Sequence, residues 1–214
     1  MPRSRFSDVR WFDEVDSTNR VAAELARSGA ADGLVVGADH QIAGRGRRGR
    51  TWESRPGTSL LVSVVLRPVP ALVTLAAGVA AAEACESVAG MPIHLKWPND
   101  VLCAGGKLGG ILSELVGDAV VIGLGLNLSW APPGAARLAP DVDRDGLLAA
   151  WLSGLDEPSD VLARYRARCS TLGRRVRVEL PGERVEGTAG DIDAQGRLVV
   201  DGRVISAGDV VHLR

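Results

Sequence analysis

The chain has 214 residues, 46% of them hydrophobic and 24% charged, enough to bury a full core in one ordinary domain or in one domain with a small appendage. The formal net charge is −1, yet four arginines crowd into residues 44–50; positive charge is local, which argues against a nucleic-acid coat or a polybasic membrane binder. Cys85, Cys103 and Cys169 have neither disulfide-framework nor zinc spacing, and the longest apolar run, near residues 71–82, is too short to span a bilayer, so a soluble cytoplasmic protein with no membrane partner is expected.

Residues 11–15 predict a short strand. Asp16-Ser17-Thr18-Asn19 then offers several N-caps for a helix to about Ser28, stopped by Gly29, and the same hydroxyls beside free helix N–H groups can equally hold a ligand. Residues 34–38 predict a strand leading through Gln41 into Gly44-Arg45-Gly46-Arg47-Arg48-Gly49-Arg50, and the apolar run 60–66 predicts a strand buried on both faces beyond it. Pro70 is expected to open an alanine-rich helix ending near Gly90. Short strands at 92–95 and 101–103 precede a hairpin of residues 107–115 and 120–128, joined at Gly117-Asp118. Glycines 109, 110, 123 and 125 lie inside these strands, where glycine costs stability, and mark a place where a ligand or another backbone comes close.

After Pro132-Pro133-Gly134, helices are predicted at 143–152 and at 159–169, the second capped by Ser159, with Arg164, Arg166 and Arg168 complementing its macrodipole. From Leu172 the pattern changes to short alternating strands with Pro181-Gly182, Gln195-Gly196 and Asp201-Gly202 turns, which predicts a small SH3-like β-barrel. At that size it is expected to dock on the first domain.

The glycine-arginine segment reads as a loop awaiting an anion: arginines this close repel one another, glycines let main-chain N–H groups approach an oxyanion, and guanidinium forks suit carboxylate or phosphate. It is expected to be mobile until a ligand orders it. All but two of the 25 basic residues are Arg, so the exceptions, Lys96 and Lys107, stand out as positions where a compact ammonium is wanted. His40, His94 and His212 lack ligand spacing, and there is no nucleophile elbow, P-loop or dinucleotide glycine signature. A phosphoryl or adenylyl-type reaction fits, since such chemistry is mostly positioning plus positive charge.

Four segments carry a resemblance: Asp16-Ser17-Thr18-Asn19; Gln41 through Arg50; Lys96-Trp97-Pro98-Asn99-Asp100 with Lys107-Leu108-Gly109-Gly110-Ile111-Leu112; and Gly123-Leu124-Gly125-Leu126-Asn127. In this order and spacing they resemble the biotin protein ligases. The resemblance implies an α+β fold, with a mixed, mostly antiparallel sheet packed with helices, like that of class II aminoacyl-tRNA synthetases, in a catalytic domain of residues 1–171, and the SH3-like barrel at 172–214. It implies an enzyme that makes biotinyl-5′-AMP and pyrophosphate from biotin and ATP with Mg2+, then biotinylates a lysine of a biotin carboxyl carrier protein.

By the same resemblance Lys107 would bridge the biotin carboxylate and the α-phosphate, with Arg47 at the same centre. Arg45 and Gly44 would close over biotin, and Ser17, Thr18 and Gln41 would bind its ureido ring. Gly110 and Gly125 would line the pocket and Trp52 would cover the adenylate. Asn99, Asn127 and Arg50 would contact the nucleotide, its phosphates or its magnesium. Asp100 would hold magnesium or deprotonate the incoming lysine, Lys96 and Trp97 would be scaffold, and Arg48 has no implied role. Only about ten residues precede Trp11, so the form without an N-terminal DNA-binding domain, and hence no DNA partner, is expected. The rivals are a lipoate or octanoate ligase or transferase of the same superfamily, and a non-enzymatic RNA-binding module; 4% aromatic content, without basic-aromatic interleaving, weighs against the second.

Overall fold

The computed structural model describes residues 5–139, 141–156 and 158–213, so the expected outer limits at residues 1 and 214 lie outside the described residues. In chain order the elements are β1 (Val9–Val15), α1 (Thr18–Arg27), β2 (Val35–Gln41), a 3-10 turn (Arg47–Gly49), β3 (Ser59–Leu66), α2 (Val73–Ala89), β4 (Ile93–Lys96), β5 (Asp100–Cys103), β6 (Gly106–Val116), β7 (Ala119–Asn127), α3 (Arg144–Asp156) and α4 (Val161–Arg168). The C-terminal strands are β8 (Arg175–Leu180), β9 (Glu183–Ile192), β10 (Leu198–Val200), β11 (Arg203–Ile205) and β12 (Asp209–His212).

The first sheet has the order β1-β2-β3-β7-β6-β5-β4, with β1 parallel to β2 and every other pair antiparallel, which is the mixed, mostly antiparallel sheet expected. Alternation along a strand sends successive side chains to opposite faces, and here the two faces are put to different uses. Val62, Val64, Ile122, Leu124, Ile111, Val101 and Leu95 point to the main core, beneath α2 and α3. On the other face Val36, Val65 and Val121 meet Ala22, Ala23 and Ala26 of α1. Helix α1 covers only part of that face. β3 is buried along its whole length because α1 packs on one of its faces and the main core lies on the other, as its unbroken apolar run implies.

The expected barrel is a five-stranded antiparallel sheet of order β11-β10-β9-β8-β12, in which no ladder joins β11 to β12. It docks on the first sheet through Trp97, whose Nε1 donates to Gly196 O at 3.0 Å and whose backbone N–H donates to Thr171 Oγ1 at 3.2 Å.

Three local expectations need correction. Helix α2 starts at Val73, preceded by Leu72 at φ 55°, so Pro70 lies in the approach and not in the first turn. The residue before α4 is Asp160, at φ 46° and with no side-chain cap, in place of the expected Ser159. The α4 arginines do more than complement a dipole: Arg164 pairs with Glu83, Arg168 with Glu86 at 3.1 Å, and Arg166 with Asp191 at 2.8 Å, tying α4 to α2 and to β9. These partners are distant in sequence and hidden from local patterns.

Trp151 fills the space between α3 and α2, fully buried, with Nε1 donating to Ala77 O at 3.2 Å. Trp151→Ala should lower unfolding free energy by about 3–5 kcal/mol, seen as a lower denaturant midpoint at unchanged slope.

Candidate active site

Across β5, β6, β7 and β3 one ladder row reads Asp100–Gly110–Gly125–Leu61 on the face that α1 leaves uncovered. Two glycines in the middle of the row make a trough. At Gly125 a Cβ would stand 2.8 Å from the Trp52 ring, and at Gly123, two residues back on the same face, it would stand 2.0 Å from Asn19 Oδ1. Glycine there admits Trp52 and the start of α1 against bare backbone. Gly109, on the opposite face, has a packing role, since a Cβ there would meet Leu126.

At the start of α1 the sequence allowed a cap or a ligand contact, and Ser17 makes no side-chain capping bond. Gln41 Oε1 accepts from the Thr18 N–H at 2.8 Å and from Thr18 Oγ1 at 3.0 Å, which leaves the Gln41 amide NH2 free to donate. Ser63 Oγ lies 2.8 Å from Thr18 Oγ1 and 2.7 Å from Asn19 Oδ1, and Asn19 Nδ2 donates to Glu114 Oε2 at 2.8 Å. This buried polar chain fixes the helix start on the trough.

The cations gather at the other end. Lys107 Nζ is 2.7 Å from Asp100 Oδ1. Arg47 donates to Asn99 Oδ1 at 3.0 Å, and burial pushes its pKa down. Arg45 pairs with Glu114 at 3.0 Å, Arg50 with Asp209 at 2.8 Å, and Arg48 with Asp209 at 3.3 Å. The loop expected to wait for an anion thus has three of its arginines neutralised by protein carboxylates. Arg48, for which the sequence offered no role, ties the loop to β12 and to Glu179 O.

Two cavities meet here. The first is lined by Ser17, Thr18, Gln41, Arg45, Arg47, Arg50, Trp52, Asn99, Lys107, Gly110 and Gly125, so most of the residues singled out in the sequence converge on one wall. The second is lined by Thr51, Trp52, Glu53, Lys107, Asn127, Pro132 and Ala135. Lys107 and Trp52 belong to both. Among the described residues Asn127 Oδ1 and Trp52 Nε1 are buried without a hydrogen-bond partner, an unsatisfied acceptor and donor beside the second cavity. Asp100 reaches the first cavity through Lys107, and Gly44 packs on Trp52, donating no wall to it. Glu114 and Asp209 were not singled out in the sequence, because single acidic residues on strands carry no local signal, and Asn19 was read there only as one of four possible caps or ligand contacts. Among the described residues no helix is long and apolar enough to cross a membrane.

A family model described as the Biotin/lipoate A/B protein ligase family matches residues 11–127, and one described as the Biotin protein ligase C terminal domain matches residues 171–213. The Biotin--[acetyl-CoA-carboxylase] ligase of Mycobacterium tuberculosis is 44% identical over 97% of this chain and 91% of its own. The chain belongs to the biotin protein ligase family. Within that family, the Aquifex aeolicus biotin protein ligase solved with biotin and ATP superposes with a TM-score of 0.84 at 27% identity, covering 98% of this chain and 100% of its own. The Leishmania major biotin protein ligase solved with biotinyl-5-AMP gives a TM-score of 0.69 at 26% identity, covering 97% and 99%.

Asp209 anchors two loop arginines at once. Asp209→Ala removes two part-exposed pairs worth together about 1 kcal/mol, so trypsin should cut after Arg48 or Arg50 about fivefold faster, with the fragments identified by mass spectrometry.

Proposed function

We propose that this chain is an ATP-dependent biotin ligase: it joins biotin to ATP as biotinyl-5′-AMP, releases pyrophosphate, and passes the biotinyl group to one lysine of a biotin carboxyl carrier protein. The observation that carries this reading is Lys107 on the wall common to two cavities, with Trp52 beside it. A ligand carboxylate in the first and a nucleotide in the second would meet at its ammonium. Two unit negative charges 4 Å apart repel by about 4 kcal/mol at an effective dielectric of 20, and a cation between them reverses that sign. An ammonium has three donors. Asp100 takes one and aims the group, which leaves two for the biotin carboxylate and the α-phosphate.

In the first step a biotin carboxylate oxygen attacks the α-phosphorus, the bond to the bridging oxygen breaks, and its electron pair leaves with pyrophosphate. Lys107 and Arg47 stabilise the charge that develops at that centre. In the second step the carrier lysine, as a neutral amine, attacks the acyl carbonyl; an amide bond forms, AMP leaves, and Asp100 is positioned to take the amine proton. The start of α1 and Gln41 would hold the ureido ring, with Arg45 closing over it, Gly44 supporting that closure from behind Trp52, and Gly110 and Gly125 as the floor. Trp52 and Asn127 would hold the adenine and ribose through their unsatisfied groups. Arg50 and Asn99 would meet phosphate.

Magnesium supplies charge neutralisation on the phosphates when it is bound with ATP. Asp100 beside Lys107 and the Asn99 amide oxygen beside Arg47 are the oxygen ligands at hand, and no group of three or more acidic, His or Cys side chains gathers among the described residues, which suits an ion held mostly by phosphate and water. We read residues 1–171 as the catalytic unit, residues 172–214 as its appended unit, and the cytoplasm as its compartment.

Lys107→Ala should slow biotin-dependent pyrophosphate release by at least about 100-fold while leaving the thermal unfolding midpoint in place; near-normal turnover would remove Lys107 from this role. Pyrophosphate release with lipoate exceeding that with biotin would move the reading to the lipoate branch of the superfamily.

A further inference from the structure

We propose that Lys96 is a phosphate-binding residue of this site, holding the β- and γ-phosphates of ATP and then the departing pyrophosphate; this rests on the ligase reading. The ladder row that forms the trough continues outward: Asp100 of β5 faces Lys96 of β4, so the row runs Lys96–Asp100–Gly110–Gly125. Directly opposed residues of an antiparallel pair send their side chains to the same face. Lys96 therefore leaves the sheet on the face that carries the ligand trough, while its neighbour Leu95 points into the core. Adjacent strands are about 4.8 Å apart, which sets the Lys96 Cα about 10 Å from that of Gly110.

The direction of the reaction gives that position a use. In phosphoryl and adenylyl transfer the attacking and leaving oxygens lie roughly in line. If the carboxylate sits over Gly110 at Lys107 and the nucleoside occupies the cavity of Trp52 and Asn127, the side left for the leaving group is toward β5 and β4. Positive charge is in excess there. Lys96, Lys107, Arg47, Arg48 and Arg50 surround two carboxylates, Asp100 and Asp209, and these are already taken by Lys107, Arg48 and Arg50. Among the described residues Lys96 makes no ion pair and no side-chain hydrogen bond. Burial pushes the Lys96 pKa down; Asp100 and Asp209 oppose this and Lys107 and Arg50 reinforce it, as expected for an ammonium whose lost hydration the protein does not replace. A phosphate oxygen would replace it. In a chain that otherwise writes its cations as Arg, a compact ammonium with three rotatable donors suits a half-buried contact to phosphate oxygens.

The test compares Lys96→Met, which keeps the stem and removes the charge, and Lys96→Arg with the wild type, on the full chain. Adenylation is followed by pyrophosphate release against ATP and biotin separately, the reverse reaction by pyrophosphate-dependent ATP formation from biotinyl-5′-AMP, and transfer by supplying biotinyl-5′-AMP to a carrier domain. Lys96→Met should raise KM for ATP and for pyrophosphate by about 10- to 100-fold, the loss of one charged hydrogen bond. Biotin binding without ATP, measured by calorimetry, and transfer from supplied adenylate should stay within about twofold of wild type on the same scale. Lys96→Arg should recover part of the pyrophosphate effect. Unchanged KM for ATP and pyrophosphate in Lys96→Met overturns the proposal, and so does an equal fall in biotin binding and transfer, which a scaffold role produces. A wild type that forms no biotinyl-5′-AMP would refute the ligase reading itself. In that event calorimetric titration with inorganic pyrophosphate still decides for Lys96: weaker binding to Lys96→Met supports its phosphate role, and equal binding overturns it.

Discussion

An excess of positive charge has to be held in one place without a permanent counter-ion, and most of what is unusual in this molecule follows from that. Like charges separated by one or two side chains repel by several kcal/mol where water is partly excluded. Three carboxylates carry the load. Asp100 holds Lys107, Glu114 holds Arg45, and Asp209 holds both Arg48 and Arg50. Each comes from a different strand, so the glycine-arginine segment is stretched between β6 of the first sheet and β12 of the second. The partnering is incomplete: Arg47 rests on neutral oxygens of Asn99 and Gly208, and among the described residues Lys96 pairs with no anion. An incoming polyanion completes a charge balance that the protein leaves open.

The sheet solves the complementary problem of giving neutral parts of a ligand a surface. A two-faced sheet needs cover on both sides to be stable, and here α2 and α3 cover one face while α1 covers part of the other. The uncovered part is not apolar surface left in water. It is a row of glycines flanked by Asp100 and roofed by Trp52, so backbone groups and an aromatic ring replace the side chains that would otherwise need burying. Stability and function are separated by sequence period: alternate residues of β7 serve the core, and those between them, Gly123 and Gly125, serve the site.

Much of this was legible in the sequence, for reasons that are local. The apolar run of β3, the β6–β7 hairpin with its Gly117-Asp118 turn, and the strands after Leu172 are written in patterns a few residues long. The same is true of the candidate site, since interior strand glycines and clustered arginines violate the composition expected of their elements. What the sequence did not disclose depends on pairs far apart in the chain. Arg45 and Glu114 are 69 residues apart, and Arg50 and Asp209 are 159 apart. Neither acidic residue breaks a local rule. The start of α2 was misplaced because proline favours a first turn without requiring one, and a left-handed Leu72 intervenes.

The second sheet, read alone, is too small to hold a core and too plain to have a site. Its place in the molecule changes that. Trp97, in the turn between β4 and β5, is pinned to the second sheet by Gly196, while Asn99 and Asp100 at the far side of that turn hold Arg47 and Lys107. Asp209 reaches the same loop from β12. The C-terminal sheet is therefore connected to the cations of the site through a hairpin, through the Asp209 carboxylate, and through the Gly208 and Glu179 carbonyls that accept from Arg47 and Arg48. A shift of that sheet by the length of one hydrogen bond would move Lys96, Asp100, Arg48 and Arg50 together, so the alignment of charge at the site is a property of how the two sheets dock and not of the glycine-arginine segment alone.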